Sequence, residues 1–356
     1  MRFLKIVISC GLLCLVLVAN AQPRCGPEMR IGFAPARSMV RVYNVEQMIT
    51  RSLKRDFRFD FVSFYVPLAE KAWDTDNVKS ALRQGYDIFV VATFHGASAA
   101  DIASGKHDAQ LRRFAQVLMT LPARDGQIAV RILHESNGWY AWSVAKNHRA
   151  DIQRAWAHVI ALLRETVGTH VRIDYNVTRK SARGGAKTIV ALYPGDDVEV
   201  CSTTSFNRVG SSKWHKTPHG FWEEAKSSHD ALAKVCGNKP LYVGEVSTMP
   251  FVRADGTPGK PEWFRQLAED VCTQSRFDGV TFFLRDKLLP DADVILKWGI
   301  HNDAELAGLA DAIAHLKNWD VRAASDGIYT DNVPVVVALR YFFTRFLGAL
   351  LGFGGK

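Results

Sequence analysis

Two glutamates carry the clearest chemistry in this sequence. Glu135 ends one apolar run, and Glu245 ends a second apolar run 110 residues later. A carboxylate in such a position is costly unless it is paired or used. A retaining glycoside hydrolase needs two carboxyl groups at one glycosidic bond, one protonated and one ionised. Spacing alone leaves the alternative open that both glutamates form buried salt bridges.

The residues beside Glu135 argue against a zinc site. His134 directly precedes Glu135, but the helical zinc motif needs a second histidine four residues after the first, and position 138 is glycine. We therefore predict no metal and no cofactor. The net charge of +9 fits ordinary solubility, or attraction to an acidic polysaccharide or a membrane surface. The basic residues are scattered, which argues against nucleic acid as a partner.

Short apolar runs alternate with longer amphipathic segments along the chain. Several runs are apolar on both faces, as parallel strands buried on both sides should be. Eight strands alternating with helices predict an α/β fold, a single (β/α)8 TIM barrel. The predicted strands are 29–34, 59–65, 87–93, 128–134, 171–177, 198–205, 241–246 and 279–284.

Helical patterns lie between most of these strands. The segment 179–191 is the exception, because Gly184-Gly185 makes it a poor helix. A doubly wound sheet is the alternative fold, but no glycine-rich dinucleotide loop follows the first strand. The predicted helices are 45–56, 77–84, 108–121, 150–167, 221–235, 261–275 and 303–316.

The loops after the strands form the open mouth of such a barrel, and catalytic groups lie there. Strands four and seven, which carry Glu135 and Glu245, face one another across that mouth. Other polar residues end or follow strands three, five, six and eight: His95, Asn176, Asn207, Arg208, Arg285 and Asp286.

The segment Arg131-x-x-His134-Glu135-x-Asn137-Gly138-x-x-x-Trp142 resembles the acid/base motif of glycoside hydrolase family 26, which contains β-mannanases. Further likeness at 101–108, 193–199 and 298–299 extends the resemblance over most of 29–316. It implies Glu135 as acid/base and Glu245 as nucleophile. It also implies that His134 contacts the sugar at the cleavage subsite. The resemblance and the strand ends together give the candidate substrate-binding residues His134, Asn137, Trp142, His95, Arg131, Trp139, Asn207 and Trp298.

One position departs from the family. Relatives commonly carry a tyrosine after strand six that hydrogen-bonds the nucleophile, and the aligned residue here is Phe206. Loss of that hydroxyl changes the surroundings of the nucleophile unless another donor, such as Arg208 or Asn176, replaces it.

The expected activity is that of a retaining endo-β-glycanase. Its substrate would be a β-1,4-mannan-type chain or a bacterial exopolysaccharide, bound on aromatic platforms such as Trp139, Trp142 and Trp298. A role in the core is the alternative for each tryptophan. The alternative function is a catalytically weak carbohydrate-binding barrel that serves exopolysaccharide synthesis or export.

Residues 1–21 are typical of a secretory signal peptide, which predicts an exported protein, periplasmic or secreted. The barrel domain is then 22–320, followed by an apolar extension, 321–356. Residues 333–356 could contact a membrane or an export complex, although Arg340 and Arg345 make a true membrane span expensive. Packing of this segment against the barrel or a partner is the alternative.

The four cysteines after the signal segment allow three disulfide pairings. Cys25 and Cys272 precede strands one and eight, which are neighbours at the closed end of a barrel. Cys201 and Cys236 lie on or before strands six and seven. We therefore predict the pairs Cys25–Cys272 and Cys201–Cys236.

Overall fold

The protein is a closed parallel barrel of eight strands. Its computed structural model describes residues 25–68, 73, 75–212, 215–289 and 294–319. Each strand pairs in parallel with the next along the chain, and the eighth pairs with the first. The strands are β1 Arg30–Ala34, β2 Phe61–Pro67, β3 Asp87–Thr93, β4 Ile128–Ile132, β5 Val171–Thr178, β6 Val200–Asn207, β7 Leu241–Thr248 and β8 Gly279–Phe283.

Helices follow the strands and cover the outside of the barrel. Their apolar stripes and the outward faces of the strands form one hydrophobic core. The helices are α1 Met39–Leu53, α2 Asp76–Arg83, α3 Ala99–Ala103, α4 Asp108–Met119, α5 Arg149–Val167, α6 Gly185–Leu192, α7 Phe221–Cys236, α8 Gly259–Gln274 and α9 Asp303–Leu316.

The predicted (β/α)8 fold and all eight strands are confirmed, with several local differences. The poor helix prediction for 179–191 was wrong, because α6 starts directly after Gly184, which takes the positive φ of 72° that the turn requires. Helix α1 begins six residues before its predicted start, because the Ser38 side chain caps it. A two-stranded hairpin of β9 Lys287–Leu289 and β10 Val294–Leu296, which we did not predict, follows β8.

The barrel interior is apolar at one end and polar at the other. Phe61, Phe89 and Tyr242 pack together at the amino-terminal ends of their strands, with ring centroids 5.1–5.7 Å apart. Ala129 belongs to the same cluster. Side chains two residues apart face the same side of a strand, so Arg131 is the next inward residue on β4. The interior therefore changes from aromatic to charged on the way to the mouth.

Two disulfides, Cys25–Cys272 and Cys201–Cys236, connect the pairs expected from the strand order. No helix in the part of the chain that the structure describes has the length and apolar character of a membrane span. The predicted signal peptide and the extension 321–356 lie outside the described residues.

Candidate active site

A cavity of about 690 Å³ opens at the carboxyl ends of the barrel strands. Both glutamates singled out in the sequence line it. The lining also includes Tyr65, His134, Tyr140, Phe206, Arg208, Lys287 and Trp298. The two carboxyl groups therefore share one opening, which is where this fold places chemistry.

Glu245 reaches the cavity because β7 contains an irregularity. Thr203 of β6 is level with Val243, but the next residue, Thr204, is level with Glu245, so Gly244 is the extra residue. Strict alternation from the inward-facing Tyr242 would turn Glu245 outward, and the extra residue re-aims it. A side chain at Gly244 would lie 2.8 Å from Nη2 of Arg131, so only glycine fits there.

Two donors hold one oxygen of the Glu245 carboxylate. Arg131 Nη1 lies 3.2 Å from Oε1, and the Tyr65 hydroxyl donates to the same atom. None of the described residues donates to Oε2. Burial raises the pKa of Glu245, while the Arg131 charge and the Tyr65 hydrogen bond act to lower it. One oxygen is thus fixed and the other is available to react.

The carboxylate of Asp174 orients Arg131 from below. The Nε of Arg131 donates to Asp174 Oδ2 at 2.6 Å, and Ser202 Oγ donates to both oxygens of Asp174. Arg131 and Asp174 are both almost fully buried. This network fixes the guanidinium that holds Glu245.

Glu135 has different surroundings. It lies in the turn after β4, where Leu133 and Glu135 both have a φ of 49°, a left-handed conformation that costs non-glycine residues energy. The turn is held by hydrogen bonds from the Glu135 amide to the Asn176 carbonyl and from Ser143 Oγ to the Glu135 carbonyl. Its carboxylate forms no salt bridge within the described residues.

The pKa of Glu135 rises to about 7, first because of burial and then because of the negative charge of Glu245. The charges of Arg208 and Lys287 act in the opposite direction. At neutral pH Glu135 is therefore protonated in a large share of the molecules. Burial raises the pKa of both carboxyl groups, but of the two, within the described residues, only Glu245 accepts hydrogen bonds from a guanidinium and a hydroxyl, which favour its ionised form. An acid and a nucleophile need such a difference in surroundings.

His134 is buried against the cavity with both ring nitrogens lacking a hydrogen-bond partner. Its ring contacts Tyr140, with centroids 4.4 Å apart, and Trp142, at 5.3 Å. Burial and the Arg131 charge lower the pKa of His134 to about 3, so the ring is neutral. A buried polar group without a partner, facing an opening, points to a ligand.

The structure brings four predicted residues to the cavity surface, namely Glu135, Glu245, His134 and Trp298, with Arg131 directly behind Glu245. It leaves five others off the lining. His95 and Trp139 are exposed outside the cavity, and Asn207 is buried in β6.

Asn137 and Trp142 support the turn that carries Glu135. Asn137 bridges to β5 through both the amide and the carbonyl of Thr178. Trp142 is 2% exposed, stacks under Tyr140 and donates to the His134 carbonyl at 3.0 Å. Substrate contact for these residues remains a prediction, whereas their contacts in the structure are with protein.

Tyr65 is the main site residue that we did not predict. Phe61, Ser63 and Tyr65 are spaced by two on β2, so the inward-facing Phe61 places Tyr65 inward at the mouth. Position 206, by contrast, holds a ring stacked on Trp298 at 4.3 Å. The donors to Glu245 are therefore Tyr65 and Arg131 rather than Arg208 or Asn176, which the sequence suggested.

Among the described residues, no group of three or more histidine, cysteine or acidic side chains is arranged to hold a metal ion. The arrangement instead consists of two carboxyl groups, a neutral imidazole, a buried guanidinium and aromatic walls. The fold and this site define a (β/α)8 barrel with two glutamates on one cavity, Glu135 in the turn after β4 and Glu245 on β7.

No protein-family model matches the chain, and no curated protein matches it. Several solved structures share its fold. The catalytic domain of a family 26 endo-β-1,4-mannanase from Bacillus sp. JAMB-750 is 13% identical, with a TM-score of 0.59 over 84% of this chain and 88% of that one. An endo-β-1,4-mannanase double mutant from Cellulomonas fimi is 17% identical, with a TM-score of 0.56 over 80% and 70%.

A broad-specificity endoglucanase of another family, from Clostridium longisporum, is also similar, with a TM-score of 0.53, 13% identity and coverage of 80% and 87%. At these identities the likeness establishes the barrel fold.

Proposed function

We propose that this protein is a retaining glycoside hydrolase that cleaves a β-linked polysaccharide. The observation that carries the proposal is the contrast between two glutamates on one cavity. Glu245 is held against a buried cation and a hydroxyl donor, while Glu135 is unpaired with a pKa of about 7. A double displacement needs one carboxyl group in each of these states.

In the first step, Oε2 of Glu245 attacks the anomeric carbon while the glycosidic C–O bond breaks. Glu135 gives its proton to the departing oxygen, and a glycosyl ester forms on Glu245. In the second step, Glu135 takes a proton from water, whose oxygen attacks the anomeric carbon and releases Glu245 as a carboxylate. Each residue returns to its starting protonation state.

The surrounding residues fit these roles. Arg131 and Tyr65 favour the ionised form of Glu245 and fix its orientation. The unpartnered nitrogens of His134 can exchange hydrogen bonds with a sugar hydroxyl. Phe206 and Tyr140 line the cavity, where a sugar ring can pack against them. Similarity in fold to endo-β-1,4-mannanases supports a β-linked substrate.

The alternative, a carbohydrate-binding barrel with little activity, rests on Phe206 and on the apolar extension 321–356. Tyr65 weakens the first ground, because it supplies a hydroxyl to Glu245 from the other side of the cavity. The second ground lies outside the described residues. Export of the protein, which the two disulfides favour, belongs to the same proposal.

The test is incubation of the protein with β-mannans, β-glucans, xylans and acidic bacterial exopolysaccharides, with products identified by mass spectrometry. Proton NMR at early times gives the anomer formed first. We expect the β anomer, and early formation of the α anomer would contradict the nucleophilic role of Glu245. Internal cleavage, as an endo enzyme makes, would give a mixture of oligosaccharides.

Substitution separates the two catalytic roles. We expect Glu135→Gln to lower hydrolysis by about 10²–10⁴-fold, and Glu245→Gln to lower it at least as much. Glu262→Gln, at an exposed position on α8, is the control that should keep full activity. Activity retained in both active-site variants would rule the proposal out.

A further inference from the structure

The cavity is lined by basic side chains that have no part in the proposed hydrolysis beyond the effect of Arg208 and Lys287 on the pKa of Glu135. Four basic side chains line it: Arg37, Arg208, Arg285 and Lys287. Arg37, Arg208 and Lys287 are exposed, and Arg285 is half-buried. Within the described part of the chain, none of the four lies within salt-bridge distance of a carboxylate.

These residues come from loops on both sides of β7. Arg208 follows β6, whereas Arg285 and Lys287 follow β8 and Arg37 follows β1. In the barrel, β7 lies between β6 and β8, with β1 next to β8. Glu245 on β7 therefore has unpaired cations on either side.

Further cations stand behind each group. The charges of Arg37 and Arg41, after burial, lower the pKa of Arg285. On the other side, burial and the charge of Arg208 lower the pKa of Arg179 to about 10, although Arg179 is itself paired with Glu224. Basic side chains that repel one another in this way favour the binding of an anion beside them.

The carboxyl groups on the lining do not neutralise this charge. Glu245 is already paired with Arg131, and Glu135 is about half protonated at pH 7 and mostly protonated at about pH 6. The third, Asp286, accepts hydrogen bonds from the Gly299 amide and His301. A neutral glycan has no group that would pair with the free cations, whereas guanidinium groups match carboxylates in shape and charge.

We propose that the substrate is an anionic β-glycan whose carboxylate groups bind Arg37, Arg208, Arg285 and Lys287 on both sides of the cleaved bond. This inference rests on the proposed function and specifies its substrate class. The cations hold the chain by its acid groups, while the sugar ring faces at the cavity centre meet Phe206 and Tyr140.

The experiment compares two probes that differ only in the group at C6 of each sugar, a carboxylate in one and a hydroxymethyl group in the other. Oligomers of β-1,4-mannuronate and of β-1,4-mannose of equal length share backbone configuration, and only the first carries carboxylates. Binding to the Glu135→Gln protein is measured by calorimetry at about pH 6 and at low and high salt. We expect the mannuronate oligomer to bind at least about tenfold more tightly at low salt, with the difference shrinking as salt rises.

Exposed cations allow substitutions that keep the fold. The double variant Arg208→Gln/Lys287→Gln should lose about tenfold in affinity for the mannuronate oligomer and stay within about twofold for the mannose oligomer. Arg112→Gln, at an exposed arginine on α4, is the matched control and should change neither. Equal affinity for the two probes, or a preference that survives both high salt and the double variant, would overturn the inference.

The outcome is distinguishable from failure of the proposed function. If the unsubstituted protein hydrolyses neutral mannan and binds mannuronate no more tightly, the hydrolase stands and the acidic substrate is wrong. If it binds mannuronate selectively and cleaves no glycan of the panel, the hydrolase is wrong while the anionic site stands.

Discussion

Two basic side chains, Arg131 and Lys260, are each 1% exposed and each paired with a carboxylate. They differ in whether the polar groups around them are fully hydrogen-bonded. Lys260 on α8 donates to Glu305 and to the backbone carbonyls of residues 297 and 299. Its three donors meet three acceptors, so the group is satisfied. It connects α8 to the segment before α9 and to α9 itself.

Arg131 lies beneath the cavity, and the polar groups around it are not all hydrogen-bonded. Its partner Glu245 keeps one oxygen without a donor among the described residues, and the neighbouring imidazole of His134 has none for either nitrogen. Burial of a charge therefore does not by itself identify a functional site. A buried polar network that leaves hydrogen-bonding groups unsatisfied where it meets an opening does identify one.

Removal of either cation should have the largest effect on stability, and only one of the two removals should also affect hydrolysis. We expect Arg131→Met and Lys260→Met each to lower the free energy of unfolding by about 3–5 kcal/mol, because a buried carboxylate loses its partner. Urea denaturation measures this loss. Below the unfolding transition, Arg131→Met should abolish hydrolysis while Lys260→Met retains it.

The milder variant Arg131→Lys keeps the charge but cannot reach Asp174, Gly244 and Glu245 together. It should fold and remain strongly impaired. Equal loss of activity in the folded Arg131 and Lys260 variants would show that both clusters act only on stability.

Loss of the Tyr65 hydroxyl should have a smaller effect. We expect Tyr65→Phe to lower kcat by about 10–100-fold, the range for a lost hydrogen bond to a charged group. The hydrogen bond lowers the pKa of Glu245, so its loss raises that pKa and moves the acidic limb of the pH–rate profile to higher pH. Tyr43→Phe, which removes an exposed hydroxyl bonded to Gln84, is the control. An unmoved acidic limb would exclude Tyr65 as a positioning residue.

The smallest effect concerns Glu135 and stability. Its folded pKa of about 7 lies above the ordinary 4.5, so the folded protein binds the proton more tightly than the unfolded chain. The resulting stability is present below about pH 4.5 and is lost as pH rises through about 7. Glu135→Gln avoids this loss. The pKa shift corresponds to about 3 kcal/mol at pH 8, and solvent in the open cavity screens part of it. We therefore expect the free energy of unfolding of Glu135→Gln to exceed that of the natural protein by about 1–2 kcal/mol at pH 8.

The same comparison at about pH 3.5 should show no difference, since the Glu135 carboxyl group is then mostly neutral in both the folded and the unfolded protein. Glu262→Gln serves as the control at both pH values. A difference in the free energy of unfolding that does not change with pH would mean that ionisation of Glu135 does not destabilise the folded protein.

The secondary structure was readable from the chain because each strand is buried on both faces. Runs such as 88–91 and 280–283 have no polar alternation, and they lie in β3 and β8. The prediction at α6 was wrong because Gly184 and Gly185 disfavour the interior of a helix, whereas here Gly184 precedes the helix and Gly185 is its first residue.

The site was harder to predict, since neighbours across the barrel are far apart in the chain. Tyr65 and Glu245 are 180 residues apart and share a hydrogen bond. Asn137 and Trp142 belong to the motif segment, but they pack behind the cavity and support the turn. A motif specifies the types of residue, whereas the direction in which each side chain points depends on the geometry of the strand and turn.

The sequence by itself determined the barrel, the two glutamates at strand ends and the disulfide pairs, because these follow from local patterns and from the order of strands. Only the tertiary structure decided that Gly244 turns Glu245 inward, that Tyr65 rather than a residue of β6 supplies its hydroxyl, and that unpaired cations surround it. Those outcomes depend on register and on contacts between distant strands, which determine the burial, charge and hydrogen bonding of each group.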